Sequence, residues 1–294
     1  MGSSLTIGVF DGVHRGHQAL VAETVARAAG EGLRSLVVTF DPNPLEVLRP
    51  QHAPTRLCSL SKRLQLLTAL GVDQVEVLSF DDAMSQMTAE EFVDQVLLER
   101  FDAEQVVIGA NFRFGNKAAG SAETIRRAGC AVHEFALTGE GDDPISSTRI
   151  RQCVAAGSVE IAASLLGRQH SVTGVVGHGL KRGRVLGYPT ANLVLHPLTA
   201  IPADGVYAGR AHWRHGQAVA AISVGSNPTF GGVARTVEAY LLDFDDDLYD
   251  MDLTVEFAHR LRPMSAFEST DALIGAMRAD VSQTRDLMGS ESAG

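Results

Sequence analysis

Two histidines three residues apart, His14 and His17, stand in the stretch "GVFDGVHRGH" (8–17), among glycines and directly before a run of helical spacing. A loop that enters a helix offers unpaired backbone N–H groups and the positive end of the helix dipole, so it favours anions, phosphate above all. Gly8, Gly12 and Gly16, with Phe10 among them, let the backbone approach a polyphosphate closely. One helical turn apart, His14 and His17 face the same side, and their N–H groups can hold phosphate oxygens as charge builds in a transition state. The helix terminus lowers their pKa and a polyanion raises it; the larger charge of the polyanion is expected to win over the dipole's roughly half unit. A bare HxxH also fits a metal site, for which the loop offers Asp11 as a further ligand.

Other stretches carry chemistry of the same kind. "ISSTRIR" (145–151) offers the hydroxyls of Ser147 and Thr148 and the planar cation of Arg149, although alone it also reads as a helix cap with a solvated arginine. "GLKRGRVLGYPTANL" (179–193) lacks the GK[ST] of a Walker loop. It still combines Gly179 and Gly183 with Lys181, and Thr190 and Asn192 add neutral hard oxygens. In "RTVEAYLLDF", strand alternation puts Glu238 with Tyr240, opposite Val237 and Ala239. A carboxylate on a partly apolar face is costly unless it is paired or working; an isolated one also fits a barrel rim facing water.

These residues need elements to hold them. The first half alternates short apolar strands, at 5–10, 34–40, 74–80, 105–110 and 131–136, with helical runs at 17–30 (Gly30 as the stop) and 61–70. A further helical run opens with a capping box, Thr88 and Glu91. This pattern predicts an α/β unit with a parallel, doubly wound sheet, whose ligands sit past the carboxyl ends of the strands. His14 and Asn111 both fall there. Beyond about residue 168 the pattern changes to short β-rich segments separated by Gly, Pro and Asp, which predicts an antiparallel barrel, closed by a helix at 268–288. The expected domains are 1–168 and 169–294. The 294 residues, 45% of them hydrophobic, suffice for two cores. The formal net charge of −10 argues against a general affinity for nucleic acid. Three scattered cysteines argue for a reducing compartment, hence a cytoplasmic protein, and no apolar run nears the roughly 18 residues that span a membrane.

HxGH after a first strand is the signature of the nucleotidyltransferase superfamily, and "GVFDGVHRGH" closely resembles its form in bacterial FAD synthetases. "FDPNP" (40–44), "VIGANFRFG" (107–115) and "ISSTRIR" resemble later motifs of FMN adenylyltransferase domains. "GLKRGRVLGYPTANL", "ADGVYAG" (203–209), "VGSNPTF" (224–230), "RTVEAYLLDFDDDLY" (235–249) and "LRPMSAF" (261–267) resemble riboflavin kinase. In order and over nearly the whole chain, the set resembles the two-domain bacterial riboflavin kinase/FMN adenylyltransferases. The resemblance implies a Rossmann-like nucleotidyltransferase domain and a β-barrel kinase domain. It implies riboflavin, FMN, FAD and ATP as substrates and products, and Mg²⁺ accompanying ATP. It implies catalytic roles for His14, His17, Arg149 and Glu238, the last as general base. Phosphate binding would fall to Gly8, Phe10, Gly12, Gly16, Ser147, Thr148, Gly179, Lys181, Gly183 and Thr190. Asn43, Asn111, Arg262 and Phe267 would meet the flavin, and Thr190 and Asn192 the metal.

One residue departs from the family pattern: Asn43 stands where relatives usually carry histidine. Asn hydrogen-bonds but carries no charge. Two alternatives to a fully bifunctional enzyme therefore stand, a kinase with an impaired adenylyl-transfer half and a flavin- or nucleotide-binding regulator without turnover. The intact HxGH, SSTR, PTAN and Glu238 argue against the regulator. The sequence sets no oligomeric state.

Overall fold

A computed structural model describes all residues except 137–138, 141–142, 179–186, 230–231 and 291–294. The chain divides into two compact units, Met1–Ser147 and Thr148–Gly294.

In the first unit, strands β1 (Ser3–Ile7), β2 (Arg34–Asp41), β3 (Gln74–Ser79), β4 (Ala103–Gly109) and β5 (Ala131–Phe135) form a parallel sheet in the order β3-β2-β1-β4-β5. Alternation explains why these strands read as continuous apolar runs. On β2, Leu36 and Val38 enter one core cluster with Leu5, Phe92 and Val93, while Val37 enters another with Leu20, Val21 and Leu67. Both faces are covered by helices: α1 (Arg15–Glu31), α2 (Pro44–Leu48), α3 (Leu60–Thr68), α4 (Asp82–Gln86), α5 (Ala89–Glu91) and α6 (Ala122–Arg127). The capping box of Thr88 and Glu91 is present and starts α5, which runs on as a π-helix over Phe92–Arg100. Helix α1 starts two residues before the expected position and does not stop at Gly30. Its left-handed cap is Gly32, at φ 67°, where a Cβ is disfavoured. A two-stranded ribbon, β6 (Gly139–Glu140) and β7 (Asp143–Pro144), follows the sheet.

The second unit holds α7 (Ser147–Ala156), α8 (Val159–Leu166), a closed antiparallel barrel and α9 (Thr270–Ser290). The barrel strands are β8 (His170–Gly177), β9 (Ala191–Val194), β10 (Gly205–Trp213), β11 (Gly216–Thr229), β12 (Gly232–Leu241) and β13 (Asp252–Arg262), closed in the order β10-β11-β12-β9-β8-β13. Tyr207, Ile222, Val237, Ala239, Leu253, Val255 and Phe257 fill the interior. A ligand therefore has to use the outer face or the rim. Strands β10 and β13 approach so closely that a Cβ on Gly209 would lie 1.8 Å from the Glu256 carbonyl oxygen. The expected boundary at 168/169 differs from the grouping of contacts, which puts α7 and α8 with the barrel. Val159 belongs to the barrel core, and Arg260 donates to the Ala156 carbonyl and, from its backbone, to Glu160.

Candidate active sites

In the first unit, strand order reverses between β1 and β4, and the loop carrying the histidines leaves β1 at that point. His14 is the N-cap of α1: its Nδ1 accepts the backbone N–H of His17 at 3.3 Å. An accepting Nδ1 is unprotonated, so a neutral His14 carries its proton on Nε2. The His14 and His17 rings are stacked, 3.6 Å between centroids and 16° between planes, which bears out the expectation that they share a side. Burial first, and His14 second, hold the His17 imidazole well below the ordinary histidine range. Its Nδ1 is buried and has no hydrogen-bond partner among the described residues. Without a bound anion, then, burial and His14 set the shift, and His17 is a neutral donor.

The loop is held in an unfavourable backbone shape. Phe10 and Val13 have φ of 50° and 40°, left-handed values that a bulky or β-branched side chain rarely adopts. Burial over-determines them: both side chains pack with Leu20, Val21, Val37 and Leu67. Phe10 thereby offers a phosphate only its backbone, because its ring lies in the core, edge-on to His17 at 5.1 Å. Gly8 and Gly12 lie in the same loop, and a Cβ on Gly16 would come within 3.2 Å of the His14 ring. The Ser147 hydroxyl donates to the Asp11 carbonyl at 2.9 Å, so the start of "SSTR" reaches the histidine loop. Asp11 is buried and accepts the backbone N–H of Leu57. It is committed to the fold rather than to a metal. Thr148 and Arg149 follow in the first turn of α7, in the second unit.

Beside this loop lies an apolar cavity of about 1080 Å³. Phe40, Phe80 and Phe112 line it, each at or just past the carboxyl end of a strand, together with Leu45, Leu48 and Met84. Asn111, Arg113 and Lys117 supply polar groups, and Gly8 borders it. Asn43 borders a separate, smaller cavity with Asp41, Arg56 and Arg63. Its Oδ1 caps α2 by accepting the Leu45 N–H at 3.0 Å, and its amide N–H groups can donate to a ligand.

In the second unit, Glu238 is opposite Asn192 on β9 and Ser223 on β11. Residues opposite one another in antiparallel strands point to the same face. Val237 and Ala239 are buried in the barrel, so Glu238 and Tyr240 point outward, as alternation predicts. The Thr190 hydroxyl donates to Glu238 Oε2 at 3.1 Å, and Asn192 Nδ2 donates to the Thr190 carbonyl at 3.3 Å, which keeps Asn192 Oδ1 available. Glu238, Thr190, Arg262 and Phe267 meet in one cavity of about 220 Å³ between the barrel and α9. Its remaining wall is largely apolar, with Val206, Ala221, Met264, Leu273 and Met277. Gly179, Lys181 and Gly183 lie outside the described residues.

The comparisons with known proteins follow the same division. The family model for FAD synthetase matches residues 1–149 and that for riboflavin kinase residues 166–288. The chain belongs to the bifunctional riboflavin kinase/FMN adenylyltransferase family. A relative of that name from Pseudomonas fluorescens is 38% identical over 97% of this chain and 93% of its own length. Another from Escherichia coli K12 is 34% identical over 98% and 93%. A solved structure from Streptococcus pneumoniae, described as a macrolide-efflux protein, shares the fold with a TM-score of 0.88 and 34% identity, covering 97% of this chain and 94% of that one. Among the described residues, no helix here is long and apolar enough to cross a membrane.

Sequence reasoning missed the apolar walls. The signal for the first cavity was readable: an aromatic residue ends or follows each of β2, β3 and β4. No comparable signal marked Asp280 on α9, which lines the second cavity from 42 positions beyond Glu238 in the chain.

Proposed function

We infer that the chain performs two ATP-dependent steps in flavin cofactor synthesis, phosphorylation of riboflavin to FMN and adenylylation of FMN to FAD with release of pyrophosphate. The observation that carries this is the ordered match of both families along one chain. Residues 1–168 serve the second step and 169–294 the first.

In adenylyl transfer, an FMN phosphate oxygen attacks the α-phosphorus of ATP as the bond to pyrophosphate breaks. A phosphate is already a competent nucleophile at neutral pH, so catalysis rests on positioning and charge neutralisation. His14 and His17 supply imidazole N–H donors, the loop glycines supply backbone N–H groups, and the SSTR stretch offers the hydroxyls of Ser147 and Thr148 and the cation of Arg149 for phosphate. The aromatic cavity takes the flavin ring, with Asn111 and Asn43 reading polar edges.

In phosphorylation the nucleophile is a neutral ribityl hydroxyl. Glu238 takes its proton as the oxygen bonds to the γ-phosphorus and the bond to ADP breaks. The cavity between barrel and α9 takes riboflavin, with Arg262 and Phe267 against it, and "GLKRG" holds phosphates through Gly179, Lys181 and Gly183. Thr190 and Asn192 bring hard oxygens beside the Glu238 carboxylate, a donor set that suits Mg²⁺, which takes few protein ligands and keeps several waters. Bound with ATP, the ion neutralises phosphate charge. The cytoplasm, where ATP is available and thiols stay reduced, is the proposed location.

The test is incubation with riboflavin and Mg-ATP, followed by chromatography. FAD is the expected product. FMN alone would leave only the kinase half, and unchanged riboflavin would sink the reading.

A further inference from the structure

Arg262 ends β13 opposite the middle of α9. Its Nε and Nη2 donate to the two carboxylate oxygens of Asp280 at 2.8 and 2.7 Å, a two-pronged pair whose carboxylate is only 9% exposed. Its Nη1 donates to the Pro263 carbonyl at 3.3 Å, and its Cζ stands 5.5 Å from the centre of the Phe267 ring. Strand end, helix and ring thus fix the guanidinium plane from three directions. Two parallel hydrogen bonds to a largely buried carboxylate fix the plane as well as the position, which a lysine ammonium cannot reproduce. The pair also cancels the charge. An arginine so engaged is a poor phosphate ligand and a good flat, delocalised surface, and all three residues line the cavity that contains Glu238.

We propose that Asp280 is a positioning residue of the kinase site, which holds Arg262 as a flat wall against the riboflavin ring and keeps it from acting as a phosphate ligand. This rests on the assignment of that cavity to riboflavin.

The experiment is steady-state kinetics of the full chain, with riboflavin and ATP varied separately and FMN-to-FAD conversion followed in the same preparations. For Asp280→Asn the riboflavin KM rises at least about tenfold, kcat stays within about threefold, and the ATP KM is unchanged. FAD formation from FMN continues at the parental rate. Arg262→Lys, which keeps an ion pair with Asp280 and so keeps α9 anchored, shows the same rise in riboflavin KM. A parental riboflavin KM in either variant overturns the proposal, and so does an Asp280→Asn effect that falls on the ATP KM instead. A parent chain that makes no FMN would overturn the riboflavin assignment itself, a result distinct from an active parent with unaltered variants.

Discussion

The two proposed phosphate-handling sites are built in opposite ways. In the first unit the site is mostly backbone: a strained loop at a helix N-terminus, with two stacked imidazoles, of which His17 is held neutral by burial. In the second it is mostly side chains on outward positions of barrel strands, Glu238, Thr190 and Asn192, with an ion pair on the opposite wall. The difference follows the nucleophiles. A phosphate needs donors and no base, and a helix terminus provides donors without a full charge. A sugar hydroxyl needs a base, and a carboxylate carried on a rigid strand can be aimed at it. A preformed anion loop therefore tolerates removal of one donor better than a base-dependent site tolerates loss of its base.

The largest expected effect is at Glu238. Glu238→Gln lowers riboflavin phosphorylation by about 10²–10⁴-fold and leaves FAD formation from supplied FMN intact, as read by separate assays of each step. Loss of both activities would break the contrast, because the two sites would then not be independent. His17→Ala is its mirror image: FAD formation falls by about 10²–10³-fold and FMN formation is spared.

A third prediction compares two histidines held neutral by burial. His17 lies in a site, whereas His170 lies in the barrel unit with its Nε2 against the Ala200 carbonyl, 2.8 Å away. Burial pushes the His170 pKa down to about 4 from 6.5. A folded-state pKa below the unfolded one means that the unfolded chain binds more protons in this window, so the contribution is complete above pH 6.5 and lost on acidification toward pH 4. The loss amounts to about 3 kcal/mol in all, about 2 of them by pH 5. Thermal melts at pH 7.5 and 5 are expected to show the parent losing more stability than His170→Gln. Equal losses would show that the ring is charged in the fold.

The smallest effect is at Asn43. Asn43→His restores a group that caps α2 through Nδ1, as His14 caps α1, and presents N–H at Nε2. FAD formation is expected to rise by no more than about tenfold, the worth of one better-placed hydrogen bond. A much larger rise would favour the reading in which the adenylyl-transfer half is impaired.

Local chemistry was legible wherever it depends on neighbours in the chain. The HxGH spacing fixed a shared helical face for His14 and His17, alternation fixed the outward side of Glu238, and Thr88 and Glu91 fixed a helix start. Gly30 misled because a glycine inside a helix costs only about 1 kcal/mol relative to alanine, whereas Gly32 alone occupies the left-handed position. The placement of α7 and α8 was hidden for a different reason: their partners, Arg260 and the barrel core, lie about 100 residues away.

By itself, then, the sequence determined the two classes of fold and which short stretches carry groups suited to anions, because periodicity, capping and loop entry are set within a few residues. Tertiary structure alone decided which side chains face one another across those stretches. It stacked the two histidine rings, turned Phe10 into the core, drew Ser147 to Asp11, and set Asp280 against Arg262. Each of these depends on burial or on contacts between residues distant in the chain, which no local pattern encodes.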